Sequence, residues 1–167
     1  MKIALNREDF LKSLQSIIGV VERRQTMPIL ANILFTAEDG VLTLTATDLE
    51  VELIAKLGYQ GDEKGSVTLP GRKLLDISRS LPNEATILIA LKDDKAIVTS
   101  GKSKFSLTTL PANEFPLIPS INGEHKVTVN QGDLRQLIEN TQFSMEQQDV
   151  RYYLNGLLLE IDENYLK

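Results

Sequence analysis

Three carboxylates, Asp48, Glu50 and Glu52, stand at positions i, i+2 and i+4. On a β-strand that spacing places them on one face, where they could hold a divalent metal for phosphodiester hydrolysis. Leu49, Val51 and Leu53 would then take the other face, so the same pattern also describes a half-buried strand with one wet side. A metal-dependent nuclease using Asp48, Glu50 and Glu52 is therefore the enzymatic alternative. Other catalytic patterns fail. Gly101-Lys102-Ser103 has the ending of a phosphate-binding loop, but position 96 is alanine where the motif needs glycine, and the residues that follow read as strand. His125 is the single histidine, and with no cysteine in the chain it cannot build a triad; it reads as a solvated side chain. The lack of cysteine excludes disulfides and thiolate metal sites and fits a reducing, cytoplasmic setting. Outside the carboxylate alternative, no catalytic residue, metal or cofactor is expected.

Basic residues are more informative than acidic ones. The net charge of −5 argues against nucleic acid only if the cations are scattered, and they are not. Segments 22–25, 71–80 and 95–104 carry +1, +2 and +3, so the rest of the chain carries −11. Arg23-Arg24-Gln25-Thr26 falls in a loop after a predicted helix, and Arg72, Lys73 and Arg79 fall on the polar side of another. Such groups can touch phosphates without reading base sequence. The competing reading is solvated surface charge.

The elements that must position these groups follow from the apolar pattern. Hydrophobic residues make up 42% of the chain and charged residues 25%, as in an ordinary globular protein, and no apolar run is long enough to span a bilayer. Residues 2–5 alternate as a strand. Asn6 is a good N-cap for a helix over about 7–18, with Phe10, Leu11, Leu14, Ile17 and Ile18 on one face and Gly19 at its end. Strands are predicted near 29–37, 41–47 and 49–57, with a hairpin signal at Asp39-Gly40, and a short strand at 66–69. Pro70 leads into a helix near 71–80 whose buried side is Leu74, Leu75, Ile77 and Leu81. Strands near 85–91, 95–100 and 103–109 complete an α+β unit of two helices among about eight strands.

The chain repeats at an offset of 124. Lys2-Ile3-Ala4-Leu5-Asn6 meets Lys126-Val127-Thr128-Val129-Asn130, Phe10 meets Leu134, Leu14 meets Ile138, Leu30 meets Leu154 and Leu42 meets Leu166. A period this long points to duplicated domains rather than a solenoid. The proline- and glycine-bearing stretch 111–123 reads as the linker between them. The expected organisation is a complete first domain over 1–122 and a truncated second domain over 123–167, in a fragment of a longer protein.

Several motifs then carry a specific resemblance. They are Thr141-Gln142-Phe143-Ser144-Met145 and Gln148-Asp149-Val150-Arg151-Tyr152-Tyr153-Leu154-Asn155-Gly156 in the second unit. In the first they are Pro28-Ile29-Leu30, Thr47-Asp48-Leu49-Glu50, Pro70-Gly71-Arg72-Lys73 and Phe105-Ser106-Leu107-Thr108-Thr109-Leu110-Pro111. Over essentially the whole chain the sequence resembles the bacterial β sliding clamps, the processivity subunits of DNA polymerase III. The resemblance implies the DNA-clamp fold, in which each domain packs two helices on antiparallel sheets and repeated domains form a ring. It implies a non-catalytic accessory subunit, a homodimer when full length, that encircles double-stranded DNA without sequence preference. Its partners would be the DNA polymerase III catalytic subunit, the clamp loader and other proteins bearing clamp-binding motifs, with no membrane partner.

Residue roles carry over as implications of that resemblance. Arg24, Arg72, Gln148, Tyr152 and Tyr153 match DNA-contact positions, alongside Lys73 and Arg79 from the helix reading. Arg151 and Leu154 match part of the pocket for partner peptides, most of which would lie beyond position 167. Phe105 and Leu107 match the apolar part of the subunit interface, and Lys73, Lys95, Lys102 and Lys104 its basic rim. Lysines stand where arginines are common in that strand, which removes bidentate pairing. The fragment alone is expected to form no ring and to leave Phe105 and Leu107 partly exposed as an apolar patch.

Overall fold

The structure, a computed structural model, describes residues 1–21, 27–61, 63–119, 127–146, 149–162 and 165–167. It divides into two compact units, Met1–Ser120 and Ile121–Lys167.

The first unit begins with strand β1 (Lys2–Asn6) and helix α1 (Arg7–Ile17). Asn6 ends one and starts the other. Its Oδ1 accepts the N–H groups of Glu8 (2.9 Å) and Asp9 (3.2 Å), which have no partner inside the helix. Phe10, Leu14 and Ile17 recur at helical spacing and are buried. A 3-10 turn over Ile18–Val20 follows, and a second over Pro28–Ala31 precedes strand β2 (Asn32–Glu38). The predicted strand start at 29 is thus corrected to 32. Pro28 sits at the first position of the turn, where its lack of an N–H costs nothing.

Strands β3 (Val41–Thr47), β4 (Glu52–Gly58) and β5 (Gly65–Pro70) complete an antiparallel sheet of order β4-β3-β2-β5. Asp39 and Gly40, both with positive φ (48° and 78°), close the two-residue hairpin between β2 and β3. Helix α2 (Gly71–Ser80) then leads to β6 (Thr86–Lys92), β7 (Lys95–Ser100) and β8 (Ser103–Thr108). These three join β1 in a second antiparallel sheet, order β1-β6-β7-β8. Leu74 and Leu75 of α2 are buried, as is Leu81 just after it, whereas Ile77 is only half-buried. One core joins both helices to both sheets, and within it the rings of Phe10 and Phe35 meet edge to face at 6.1 Å. Among the described residues, two α-helices and eight antiparallel strands make the unit α+β, as the pattern predicts.

The offset of 124 reappears in the second unit element by element. Helix α3 (Gln131–Thr141) is capped by Asn130, whose Oδ1 accepts from Gly132 (2.8 Å) and Asp133 (3.4 Å). The 3-10 turns Gln142–Ser144 and Tyr152–Asn155 stand where Ile18–Val20 and Pro28–Ala31 stand in the first unit. Ile161 bridges Leu166 in the register of Ala37 with Leu42. Residues 127–130, which the offset sets against strand β1, make no ladder. Their counterpart β1 is held by β6. Ile138 is 42% exposed, while its equivalent Leu14 is fully buried.

Candidate nucleic-acid interface

The carboxylate triplet does not form a site. Strand β4 begins only at Glu52, because Asp48 turns the chain: its Oδ1 accepts from the N–H groups of Glu50 (3.0 Å) and Val51 (2.7 Å), and Leu49 takes φ 80°. Asp48 and Glu50 therefore share no strand face with Glu52, whose Oε2 instead accepts from the Ile118 N–H at 3.1 Å. Leu49 and Val51 are 52% and 47% exposed rather than packed on an inner face. Among the described residues no group of three or more His, Asp or Glu side chains is placed to hold a metal ion. This overturns the strand geometry on which the nuclease alternative rested. Gly101, at φ 54°, closes the β7–β8 hairpin with Lys102 and opens no helix, so it does not cradle phosphate. His125 lies outside the described residues.

The basic residues of α2 separate into two groups. Arg72 and Arg79, seven apart, share one side of the helix. Arg79 is exposed. Arg72 is half-buried, and its Nε is enclosed with no hydrogen-bond partner, while both residues lack an acidic partner among the described residues. Lys73, 100° round the helix, lines a shallow hollow with Asp76, Ile77, Phe105, Ser106 and Leu107, on the side of β8.

Strand β8 is an edge strand of its sheet. Lys102 and Lys104 on its hairpin and strand, and Lys95 on β7, are exposed. Phe105 and Leu107 turn inward on β8, so Leu107 is only 6% exposed and belongs to the core, and Phe105 is half-buried against it. The expectation that both would stand partly exposed is therefore corrected for Leu107 alone, whose side chain already has partners in the first unit, while Phe105 keeps part of its surface open beside Lys73.

In the second unit, Tyr152 and Tyr153 are 84% and 67% exposed, their rings edge to face at 6.1 Å. Arg151 is exposed and Leu154 half-buried. Asp149, which sequence reasoning left without a role, engages Arg151 through two hydrogen bonds, Nε to Oδ1 (3.1 Å) and Nη2 to Oδ2 (2.9 Å). These side-chain bonds, with a further one from the Arg151 N–H, hold the Asp149 carboxyl below its ordinary range and raise the Arg151 guanidinium. Asn155 closes the loop, accepting from the Asp149 N–H and donating to the Asp149 carbonyl. An Asp two residues before an Arg was the available signal. Arg24 and Gln148 lie outside the described residues.

Comparison with known proteins assigns both units. Residues 1–119 match the family described as DNA polymerase III beta subunit, N-terminal domain, and residues 128–167 match its central domain. A beta sliding clamp of Vibrio cholerae is 50% identical over 168 residues, covering 100% of this chain and 46% of the relative. The beta sliding clamp of Escherichia coli K12 is 46% identical over the same spans. Among solved structures, the DNA polymerase III subunit beta of Pseudomonas aeruginosa superposes with a TM-score of 0.95 at 47% identity, over 99% of this chain and 45% of that one. The pol III beta of Caulobacter crescentus does so with a TM-score of 0.92 at 38% identity, over 98% and 45%. This chain thus spans a little under half the length of the relatives it matches. With two successive domains of one family matched in order along it, the chain belongs to the DNA polymerase III beta subunit family.

Proposed function

We propose that the full-length protein is the sliding clamp of a bacterial replicase, and that this chain supplies its first domain, residues 1–122, and the start of its second, 123–167. The observation that carries the reading is the ordered match of N-terminal and central domains of one family onto two units that repeat at a fixed offset. The whole protein closes into a homodimeric ring around duplex DNA in the cytoplasm. It catalyses nothing. It tethers the DNA polymerase III catalytic subunit, after a clamp loader has opened it, and serves other proteins with clamp-binding motifs.

The mechanism is topological. A threaded ring need not grip, because escape requires opening it, so phosphate contacts can be few, non-specific and salt-sensitive. Arg24, Arg72, Lys73, Arg79 and Gln148 are assigned to such contacts. Tyr152 and Tyr153 offer aromatic faces to the backbone. A chain of net charge −5 with cations gathered on one helix side repels DNA elsewhere and tolerates it there. Tethering raises the effective concentration of polymerase at the primer end, which is what processivity needs. Lys73, Lys95, Lys102 and Lys104 are assigned to the basic rim of the subunit interface around edge strand β8, and Phe105 and Leu107, which line the hollow beside Lys73, to its apolar part. Arg151 and Leu154 are assigned to the partner-peptide pocket.

The test is primer extension on a singly primed circular template with clamp loader and ATP. Adding the full-length protein is expected to lengthen products per binding event. Product lengths that do not change with added protein contradict the reading. Replacing Arg24 with alanine is expected to weaken binding equally on unrelated duplexes and to lower the salt slope by about one; a sequence-selective loss would refute a non-specific lining.

A further inference from the structure

Arg7 opens α1, at the end of the helix where the dipole disfavours a cation. Its side chain is nevertheless only 13% exposed. Nε donates to the carbonyl of Ser78 at 2.9 Å, Nη2 to the carbonyl of Arg79 at 3.5 Å and Nη1 to Oδ1 of Asn83 at 3.2 Å. The two carbonyls belong to the last turn of α2, where the helix leaves acceptors unpaired and its dipole favours positive charge. Glu8 extends the grip: its Oε1 accepts from the Glu84 N–H at 2.7 Å and lies 3.9 Å from Nη1 of Arg7. The first turn of α1 thus holds the last turn of α2 and the loop after it, across more than seventy residues of sequence.

A guanidinium used in this way is a poor phosphate ligand, since three of its five N–H donors point into the protein. Its neighbours on α2 are not so committed. Arg79, whose carbonyl Arg7 holds, is exposed, and Arg72 lies two turns back on the same side. We propose that Arg7 is a positioning residue for the DNA-facing surface: by locking the end of α2 to the start of α1, it sets where Arg79 and Arg72 meet the phosphates. This rests on the assignment of α2 to the duplex lining. Lysine keeps the charge of Arg7 but not the planar fork that reaches two carbonyls and an amide together.

In the full-length protein, the salt dependence of binding to a short duplex is measured alongside thermal unfolding. Arg72→Ala and Arg79→Ala are each expected to lower the slope of log K against log salt by about one. Arg7→Gln and Arg7→Lys are both expected to lower it by about one, at temperatures well below their unfolding midpoints. A wild-type slope in Arg7→Lys would make Arg7 a charge beside phosphate and overturn the positioning role. Unfolding midpoints that fall while both slopes stay intact would make it structural only, with the same consequence. Should both Arg7 variants fail to fold, Asn83→Ala, which leaves the two carbonyl bonds, is expected to show a smaller loss of slope, and an unchanged slope there overturns the proposal. If Arg72→Ala and Arg79→Ala leave the slope unaltered, the lining assignment itself fails and the proposal with it, whatever the Arg7 variants do.

Discussion

Single side chains that end elements govern much of this fold. Asn6 satisfies two N–H groups that α1 would otherwise leave bare, and Asn130 repeats the arrangement in the second unit. Asn6→Ala is expected to lower stability by about 1 kcal/mol in urea unfolding; no change would mean that water replaces the cap without cost. Glu8 adds a pH dependence. The Glu84 N–H, foremost, together with its own backbone N–H and the nearby Arg7, holds the Glu8 carboxyl below its ordinary range. Because the folded value is the lower one, the stabilisation is complete above the ordinary carboxylate pKa, about 4, and fades as pH falls through the depressed value. Glu8→Gln is therefore expected to lower the unfolding midpoint at neutral pH, with the gap to wild type closing in acid. A gap that stays constant with pH would remove Glu8 from that account. At this scale the sequence was partly legible. The Asn cap and the turn at Asp39-Gly40 could be read because each acts on residues two or three away. Arg7 and Asn83 could not, because their meeting depends on how α1 and α2 come together in the folded core.

Elements were legible where a period ran uninterrupted. Helix α2 and strands β3 and β7 fall on the residues predicted, since apolar spacing alone decides them. The failures lie where a short turn imitates a strand, apolar over Pro28–Ala31 and polar after Thr47. Asp48-Leu49-Glu50-Val51 alternates polar and apolar residues, but the Asp48 carboxylate captures two backbone N–H groups and forces Leu49 into positive φ. Thr68 illustrates a tie between elements that no pattern reveals. Its hydroxyl, within a buried residue, accepts from Asn32 Nδ2 (3.0 Å) and the Leu110 N–H (3.1 Å) and donates to the Leu110 carbonyl (2.8 Å). Thr68→Val keeps the shape and orphans these groups. It is expected to cost about 1–3 kcal/mol in denaturant unfolding, against which a neutral result would show that they find other partners.

The whole molecule is where the offset of 124 matters. It was visible in the sequence because core positions keep their spacing through a duplication, and the structure shows the same caps, turns and hairpin register in both units. What the repeat could not show is which surfaces meet a partner, since core spacing carries no information about the exposed face. Partner binding follows the same logic. Under the proposed assignment Arg151 and Leu154 are only part of a peptide pocket, and affinity for a short peptide needs a complete, water-excluding one. Residues 1–167 are expected to bind no clamp-binding peptide, while in the full-length protein Leu154→Ala should weaken binding by about 1 kcal/mol or more. Equal affinity of both chains for a labelled peptide would move the pocket to the first unit. The central claim, a ring that holds DNA by encircling it, is tested most directly by loading the full-length protein on closed circular DNA and following its release after a single cut. The account predicts long retention on the circle, prompt loss from the linear ends, and no such retention by residues 1–167. Equal dissociation from circular and linear DNA would contradict it.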